Sequence, residues 1–349
     1  MTRLPLLALL LLTACAASEE PAPAPSTLAT ATVTASAETI AVATKNADAA
    51  DDPAIWRNPA DPAASLIIGT DKKAGLYVYG LDGKIRDFNN AGRVNNVDLA
   101  TYNGRVIVAA SDRADNANAH IALFSLDTAT AKLTPLGRVP AGAGEAYGIC
   151  LYQQVTPTGT DLYAFVVLKD GTINQVALDL SAAAPTGKIV RTMKLPSQSE
   201  GCVVDARTSR LYVAEEDAGL WRFEARPDGI TAPIRIAAAD GKQIVADAEG
   251  LAIAAEGPNN DGYLVVSSQG DNAYAVYKLS DDSYAGRFRI AAGTFGATEE
   301  TDGIEIATGD FGAKYPAGIM VAQDGQNAPN AQNFKLASWA DIKKALNLL

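Results

Sequence analysis

Carboxylates gathered in four short clusters are the residues of this sequence best suited to chemistry. The clusters are Asp48-Ala-Ala-Asp51-Asp52, Glu215-Glu216-Asp217, Asp247-Ala-Glu249 and Glu299-Glu300-Thr-Asp302. Adjacent like charges are unfavourable unless solvent or a cation neutralises them, and calcium takes about six to eight oxygen ligands. Each cluster alone also fits an acidic turn of an acidic protein. Four clusters beside strand-like runs favour calcium sites.

Basic residues that could hold a phosphate group form a second candidate set. They are Lys72, Lys73, Arg113, Lys169, Arg191 and Lys335. A single Lys or Arg is commonly a solvated surface residue. A set at strand ends can converge on a phosphate, where Arg donates two parallel hydrogen bonds and Lys acts as a point charge.

The scarcity of histidine excludes several phosphatase mechanisms. His120 is the one histidine of the chain. It directly precedes a strand-like run, a position more typical of a surface residue than of a catalyst. A phosphohistidine nucleophile or a His-rich dinuclear metal centre is therefore disfavoured. Neither Cys150 nor Cys202 begins a Cys-x5-Arg loop, and the chain has no nucleophile elbow for a Ser-His-Asp triad.

The elements that must position these residues are short strands. Apolar runs such as SLIIGT, GLYVYGL, RVIVAAS, LYAFVVL and YLVVSSQ are of strand length, and turns such as LDGK and KDGT separate them. Such a pattern predicts an all-β sandwich, barrel or propeller. At about 40–50 residues for each four-stranded unit, the length favours a six-bladed β-propeller. Only the stretch from Trp339 to Leu349 looks helical, with Ser338 as its N-cap and Asp341 in its first turn.

The N-terminus has the pattern of an export signal. Residues 1–14 carry Arg3 and a short apolar run, which predicts a signal peptide. The run ends in Leu12-Thr13-Ala14-Cys15, which resembles the lipobox of bacterial lipoproteins and predicts acylation of Cys15. The alternative is a plain signal peptide with a chance cysteine. Ala16 after this Cys indicates, by the same resemblance, the outer membrane of a Gram-negative cell.

Composition divides the remainder of the chain into two parts. Residues 15–38 are rich in Ala, Pro, Ser and Thr, which predicts a tether, and residues 39–349 are expected to form one domain. The net charge of −11 argues against a nucleic-acid partner. Cys150 and Cys202 could pair in an oxidising compartment, but two separate buried thiols fit the sequence equally well.

A series of ordered motifs resembles the β-propeller phytases. They include DAADDPAIW (48–56), GTDKKAGLYVYGLDGK (69–84), NNVDL (95–99), AASDR (109–113), YGICLY (147–152), EGCVVD (200–205), LYVAEEDAGLW (211–221), DAEGLAI (247–253), GYLVVSSQGDNAYAVY (262–277), TDGIEI (301–306) and YPAGIMVAQDGQN (315–327). The similarity extends from about residue 46 to 340. The order of the motifs makes it far more specific than any one of them.

The resemblance implies a six-bladed propeller with several bound calcium ions and a site on one face. Matched position by position, its metal-binding and water-activating residues fall on Asp51, Asp52, Glu200, Glu215, Glu216, Asp247, Glu249, Gln269 and Asp302. Its phosphate-binding residues fall on Lys72, Lys73, Arg113, Tyr147, Lys169 and Asn327. Of these, Lys72, Lys73, Arg113, Tyr147, Lys169, Asp247 and Glu249 are expected to act in catalysis.

The resemblance predicts a calcium-dependent phosphomonoesterase of the 3-phytase type. Its substrate would be phytate, myo-inositol hexakisphosphate, and a metal-activated water would release inorganic phosphate. We expect a monomer that is exported and either anchored at the outer membrane through Cys15, periplasmic or released. Two alternatives are a non-catalytic, calcium-stabilised propeller that binds a ligand or partner and, more weakly, a propeller lactonase or phosphodiesterase.

Overall fold

The computed structural model describes residues 24–157 and 159–348, and its strands form a six-bladed β-propeller, as predicted. The predicted signal peptide (1–14) and Cys15 lie outside the described residues. Within these two ranges, no helix is long and apolar enough to cross a membrane.

Each blade is a four-stranded antiparallel meander whose first strand faces the central channel. The strands of blades 1 to 3 are β3 (Ala50–Trp56), β4 (Leu66–Asp71), β5 (Gly75–Gly80) and β6 (Ile85–Asn89); β7 (Val94–Tyr102), β8 (Arg105–Asp112), β9 (Asn118–Asp127) and β10 (Lys132–Ala143); β11 (Ala146–Thr156), β12 (Gly159–Leu168), β13 (Thr172–Asp179) and β14 (Thr186–Lys194). Those of blades 4 to 6 are β15 (Ser199–Asp205), β16 (Arg210–Glu215), β17 (Gly219–Glu224) and β18 (Ile234–Ala238); β19 (Ala248–Ala255), β20 (Gly262–Ser268), β21 (Ala273–Lys278) and β22 (Tyr284–Ala291); β23 (Ile304–Thr308), β24 (Gly318–Asp324) and β25 (Asn333–Ser338).

The core consists of apolar clusters between neighbouring blades. Ile67 and Ile68 illustrate why the strands read as continuous apolar runs. Successive side chains of a strand point to opposite faces of its sheet. Ile67 therefore packs between blades 6 and 1, whereas Ile68 packs between blades 1 and 2. Each blade is covered by apolar neighbours on both faces.

Two strands near the N-terminus close the ring. β1 (Ala31–Thr34) pairs in parallel with β22 as a fifth strand of blade 5, and β2 (Ala37–Glu38) pairs with β25 as the outer strand of blade 6. The boundary that we predicted between residues 38 and 39 therefore lies inside the folded part. Small residues made the strand segments resemble a tether, because their pairing partners lie about 250 to 300 residues further along the chain.

The structure contains the predicted C-terminal helix. α1 (Trp339–Ala345) is shorter than the predicted stretch and begins where Ser338 Oγ accepts a hydrogen bond from the Asp341 amide. Besides α1, residues 24–157 and 159–348 contain two 3-10 turns, Pro62–Ala64 and Gln269–Asp271.

Cys150 of β11 and Cys202 of β15 form a disulfide between blades 3 and 4, with their Cα atoms 5.7 Å apart.

Candidate functional site

A β-bulge near the start of the inner strands presents most of the site residues. The pairing register shifts in β3, β7, β11, β15 and β19, each time at the same end of the propeller. The residues at these shifts are Asp51-Asp52, Asn95-Asn96, Tyr147, Glu200-Gly201 and Glu249-Gly250. A bulge redirects a side chain and locally bends its strand. Five blades thus use one device to turn polar side chains toward the channel.

Glycines in these bulges allow neighbouring inner strands to approach backbone to backbone. A Cβ atom at Gly148, Gly201 or Gly250 would overlap with the backbone carbonyl oxygen of the next site residue, which is Glu200, Glu249 or Asp302. Because each glycine follows a site residue, the close approach fixes the spacing between consecutive functional groups around the ring.

The central feature of the site is a buried group of three carboxylates. Glu200, Glu216 and Glu249 each place a carboxylate oxygen within 4.8 Å of the other two, and all three are buried. Among the described residues, Glu216 Oε1, Glu249 Oε2 and Asp51 Oδ1 are buried without a hydrogen-bond partner. Buried acceptors without donors, together with clustered negative charge, fit a hard divalent cation.

The electrostatics show how unfavourable this arrangement is for the protein atoms alone. Burial, reinforced by Asp51, raises the pKa of Glu200 well above its usual range, and burial and Glu200 do the same for Glu249. Burial and the nearby Asp247 raise the pKa of Glu216 to about 7. Each pKa is raised for two reasons: burial removes the carboxylate from water, and neighbouring carboxylates repel its negative charge. A bound cation would relieve this repulsion.

Lys72 pairs with three further carboxylates and neutralises part of the negative charge of the site. Its Nζ lies 2.7 Å from Asp48 Oδ2, 3.0 Å from Asp51 Oδ2 and 2.9 Å from Asp302 Oδ2. Burial opposes the charged ammonium, but these carboxylates outweigh it and raise the pKa of Lys72. Gln269, predicted as a neutral metal ligand, donates from Nε2 to Asp302 Oδ1 at 2.7 Å.

The predicted phosphate-binding residues Arg113, Tyr147 and Lys169 lie together beside the carboxylates. Arg113 Cζ and Lys169 Nζ lie 5.8 and 5.2 Å from the centroid of the Tyr147 ring. Arg113 Nη1 lies 3.6 Å from Glu145 Oε1, and its buried Nε has no partner among the described residues. Burial, with the charges of Glu200 and Glu249, raises the pKa of Tyr147. The tyrosine therefore borders both the cationic and the acidic groups, while Lys73 is solvent-exposed.

Two predicted site residues are engaged elsewhere. Glu215 accepts hydrogen bonds from the Ser197 amide and hydroxyl at 2.8 and 2.6 Å and from Trp221 Nε1 at 2.8 Å, so both of its oxygens serve blade 4 rather than the acidic group. Asn327 donates to Ala331 O at 2.7 Å and accepts from Lys335 Nζ at 3.1 Å, so each end of its amide has a partner within blade 6.

Two of the candidate cations are also structural. Lys335 is fully buried and pairs with Asp324 Oδ2 at 3.1 Å and Glu38 Oε2 at 2.5 Å. Arg191 Nε donates to Gln175 Oε1 at 3.0 Å. Neither side chain is available to a ligand in this arrangement.

Asp52 lines a different cavity from Asp247, Gln269 and Asp302. Its Oδ2 accepts from the Val97 amide at 3.1 Å, and it shares a cavity of about 250 Å³ with Asp98 and Glu305. Burial and the negative charge of Asp51 raise its pKa. Asp247 instead borders a larger cleft of about 910 Å³ that also contacts Asp48, Gln269 and Asp302 and opens to solvent.

Sequence reasoning missed Asn95, which is fully buried and donates from Nδ2 to Glu200 Oε1 at 2.6 Å. Asn95 lies in the NNVDL motif (95–99), but its sequence context gave it no role in the site. A usable signal existed. Tyr147-Gly148, Glu200-Gly201, Glu249-Gly250 and Asp302-Gly303 recur roughly every 50 residues, and the residues at the corresponding position of blade 2 are Asn95-Asn96.

Comparison with known proteins agrees with this geometry. The model of the Phytase family matches residues 2–348. The 3-phytase of Bacillus subtilis (strain 168) is 42% identical over 315 residues, covering 86% of this chain and 81% of that protein. A chain in the crystal structure of the mitotic checkpoint complex is similar in fold alone, with a TM-score of 0.50, 14% identity, and coverage of 95% of this chain and 85% of that one. The chain therefore belongs to the phytase family of hydrolases.

Proposed function

We propose that this phytase hydrolyses phosphomonoesters of phytate in a calcium-dependent reaction that releases inorganic phosphate. The observation that carries the proposal is the proximity of two groups of residues. The glycine after Tyr147 packs on the Glu200 carbonyl, and the charges of Glu200, Glu216 and Glu249 act on the tyrosine that Arg113 and Lys169 flank. A phosphate between the two groups would meet cations from the protein on one side and calcium on the other.

The residues fit calcium by their chemistry. Glu200, Glu216 and Glu249 would hold it, with Asp51, Asp247 and Asp302 close by, and oxygen ligands of this kind are what calcium prefers. When bound, calcium would neutralise phosphate oxygens and lower the pKa of a nearby water.

The chain's own cations would bind and orient the phosphoryl group. Lys169 forms no ion pair among the described residues, and Arg113 keeps its buried Nε unpaired, so both have donors to spare. Positioned donors that meet the charge developing on the transferred group stabilise the transition state. Asp247, whose pKa burial raises, borders the open cleft and could accept the proton of the attacking water at its carboxylate.

The experiment is phosphate release from phytate by a soluble form that begins at residue 24, so that both closing strands are kept. Release is measured with calcium and with excess chelator. We expect release only with calcium, and a loss of at least about 100-fold in Lys169→Met, the scale of one lost oxyanion donor. The matched control Lys278→Met changes an exposed lysine outside the site. Folded protein that releases no phosphate with calcium would instead support a non-catalytic binding propeller.

We also propose that the protein is exported as a monomer and anchored through acylated Cys15. The apolar run before that cysteine supports the proposal. Labelling with a radioactive fatty acid should mark the wild-type protein and leave Cys15→Ser unlabelled. A labelled Cys15→Ser variant would contradict the assignment.

A further inference from the structure

The six blades form separate sheets, so the spacing of the site residues depends on bonds between blades. At the site end of the propeller, most junctions carry such a bond. Examples are Val97 N to Asp52 Oδ2 at 3.1 Å between blades 1 and 2, and Gly250 N to Asp302 O at 2.7 Å between blades 5 and 6. Further bonds of this kind are Leu151 N to Asp98 Oδ2 (blades 2 and 3), Ala248 N to Glu216 O (blades 4 and 5) and Gly303 N to Asp51 O (blades 6 and 1).

The junction between blades 3 and 4 differs from the other five. Within the described chain, no hydrogen bond joins residues 146–155 of β11 to β15. Tyr152 instead bonds to the Ser209 hydroxyl, at 2.9 Å, beyond the far end of β15. The covalent link between the two inner strands is the disulfide of Cys150 and Cys202.

This junction carries two central parts of the site. Cys150 lies three residues after Tyr147, and Cys202 lies two residues after Glu200. The bulge glycine of β11, Gly148, packs directly on the carbonyl of Glu200.

We propose that Cys150 and Cys202 are positioning residues, whose disulfide holds the strand of Glu200 against the strand of Tyr147 and so keeps the calcium site assembled. The inference rests on the calcium site of the proposed function. It predicts that breaking the disulfide weakens calcium binding by the folded protein, in addition to any loss of stability that an unlinked chain shows.

The test is calcium titration by calorimetry on the purified full chain, compared between the oxidised protein and Cys150→Ala/Cys202→Ala. We expect calcium affinity to fall about 10-fold or more, the effect of losing a group that orients metal ligands. The melting temperature should fall further in calcium than in chelator, because the variant also loses part of the stabilisation that calcium binding gives. If the double variant does not fold, wild-type protein loaded with calcium is reduced in place, and faster calcium release on mixing with a chelating dye is the expected result.

Two control variants separate positioning from simple stabilisation. Val213→Ala removes side-chain volume from the apolar cluster that contains Cys150. Tyr152→Phe removes the hydrogen bond to Ser209 at the far end of the same junction. Both should leave calcium affinity unchanged while stability falls. Equal affinity, or equal release rates, with and without the disulfide would overturn the inference but not the calcium site. An oxidised wild-type protein that binds no calcium would overturn both.

Discussion

Glu215 and Glu216 are consecutive carboxylates with opposite environments. Glu215 ends strand β16 and accepts three hydrogen bonds from Ser197 and Trp221. Glu216 begins the following turn, keeps a buried Oε1 without a donor, and faces Glu200 and Glu249. One step along the chain therefore separates a structural carboxylate from a candidate metal ligand.

This contrast predicts opposite effects of two matched substitutions. Glu216→Gln should weaken calcium binding by at least about 10-fold with little loss of stability, because it removes a ligand charge. Glu215→Gln should cost about 1–3 kcal/mol of stability, because an amide nitrogen replaces a buried acceptor, and should leave calcium affinity unchanged. Calorimetric titration and thermal melting of both variants check the pair. Equal losses of calcium affinity would return Glu215 to the set of ligands.

Lys72 and Lys73 form a second adjacent pair with different roles. The Lys72 side chain is 7% exposed and contacts three carboxylates, whereas Lys73 is exposed and forms no ion pair among the described residues. If the Lys72 ammonium is removed, the carboxylates that it contacts keep negative charges that no cation balances.

Lys72→Met should therefore destabilise the calcium-free protein by about 3 kcal/mol or more. Lys73→Met should shift stability by less than about 0.5 kcal/mol, as surface substitutions do. Its effect should be a raised KM for phytate, because it removes a charge that is predicted to bind phosphate. Denaturant unfolding and steady-state kinetics separate these outcomes. A stable Lys72→Met variant would show that the three carboxylates do not need the ammonium.

At the scale of the strands, a β-bulge that contains a glycine recurs in the inner strands of several blades. Gly201 allows β15 to contact the backbone of Glu249, and an added Cβ would meet that carbonyl oxygen. Gly201→Ala should cost about 1–3 kcal/mol and weaken calcium binding, because overpacking shifts the backbone of two ligands. Gly296→Ala is the control, since its Cβ would come no closer than 3.5 Å to Lys335. Melting and calcium titration of both proteins test the prediction, which an undisturbed Gly201→Ala protein would refute.

The strands themselves were predictable from sequence, whereas the site was predictable only in part. Runs such as SLIIGT became strands because both faces of each blade are buried. β1 and β2 were missed because pairing with β22 and β25 is decided by tertiary structure. Glu200, Glu216 and Glu249, all predicted as ligands, lie together. Glu215, predicted with them, has both oxygens bonded within blade 4, because the direction of a side chain depends on the strand end.

At the scale of the molecule, the N-terminal segment is joined by ion pairs to the residues beside the open cleft. Glu38 of β2 reaches Lys335, whose ammonium also pairs with Asp324 next to the cleft. The closing strand thus supplies a charge to the face that carries the site. A chain beginning at residue 39 would lose β1, β2 and this partner of a buried lysine.

The whole molecule also stores unfavourable charge around its channel when calcium is absent. Burial, together with Asp247, raises the pKa of Glu216 to about 7. Burial and Asp51, partly offset by Lys72, raise that of Asp302 to about 7. In unfolded chains, carboxylates titrate near pH 4. Between about pH 4 and 7 the folded protein therefore binds more protons than the unfolded chain, and its stability falls as pH rises through this window.

We therefore expect calcium-free protein to melt at a lower temperature at pH 7.5 than at pH 5.5. Saturating calcium should abolish this fall, because ligands that bind calcium are already deprotonated and binding stabilises the folded state by mass action. Calcium is removed on a chelating resin beforehand, so that the chelator's own titration does not enter, and melting is followed by calorimetry across the window. Glu216→Gln should show a smaller fall without calcium, because one of the shifted carboxylates is gone. The same fall with and without calcium would mean that calcium does not bind at these carboxylates.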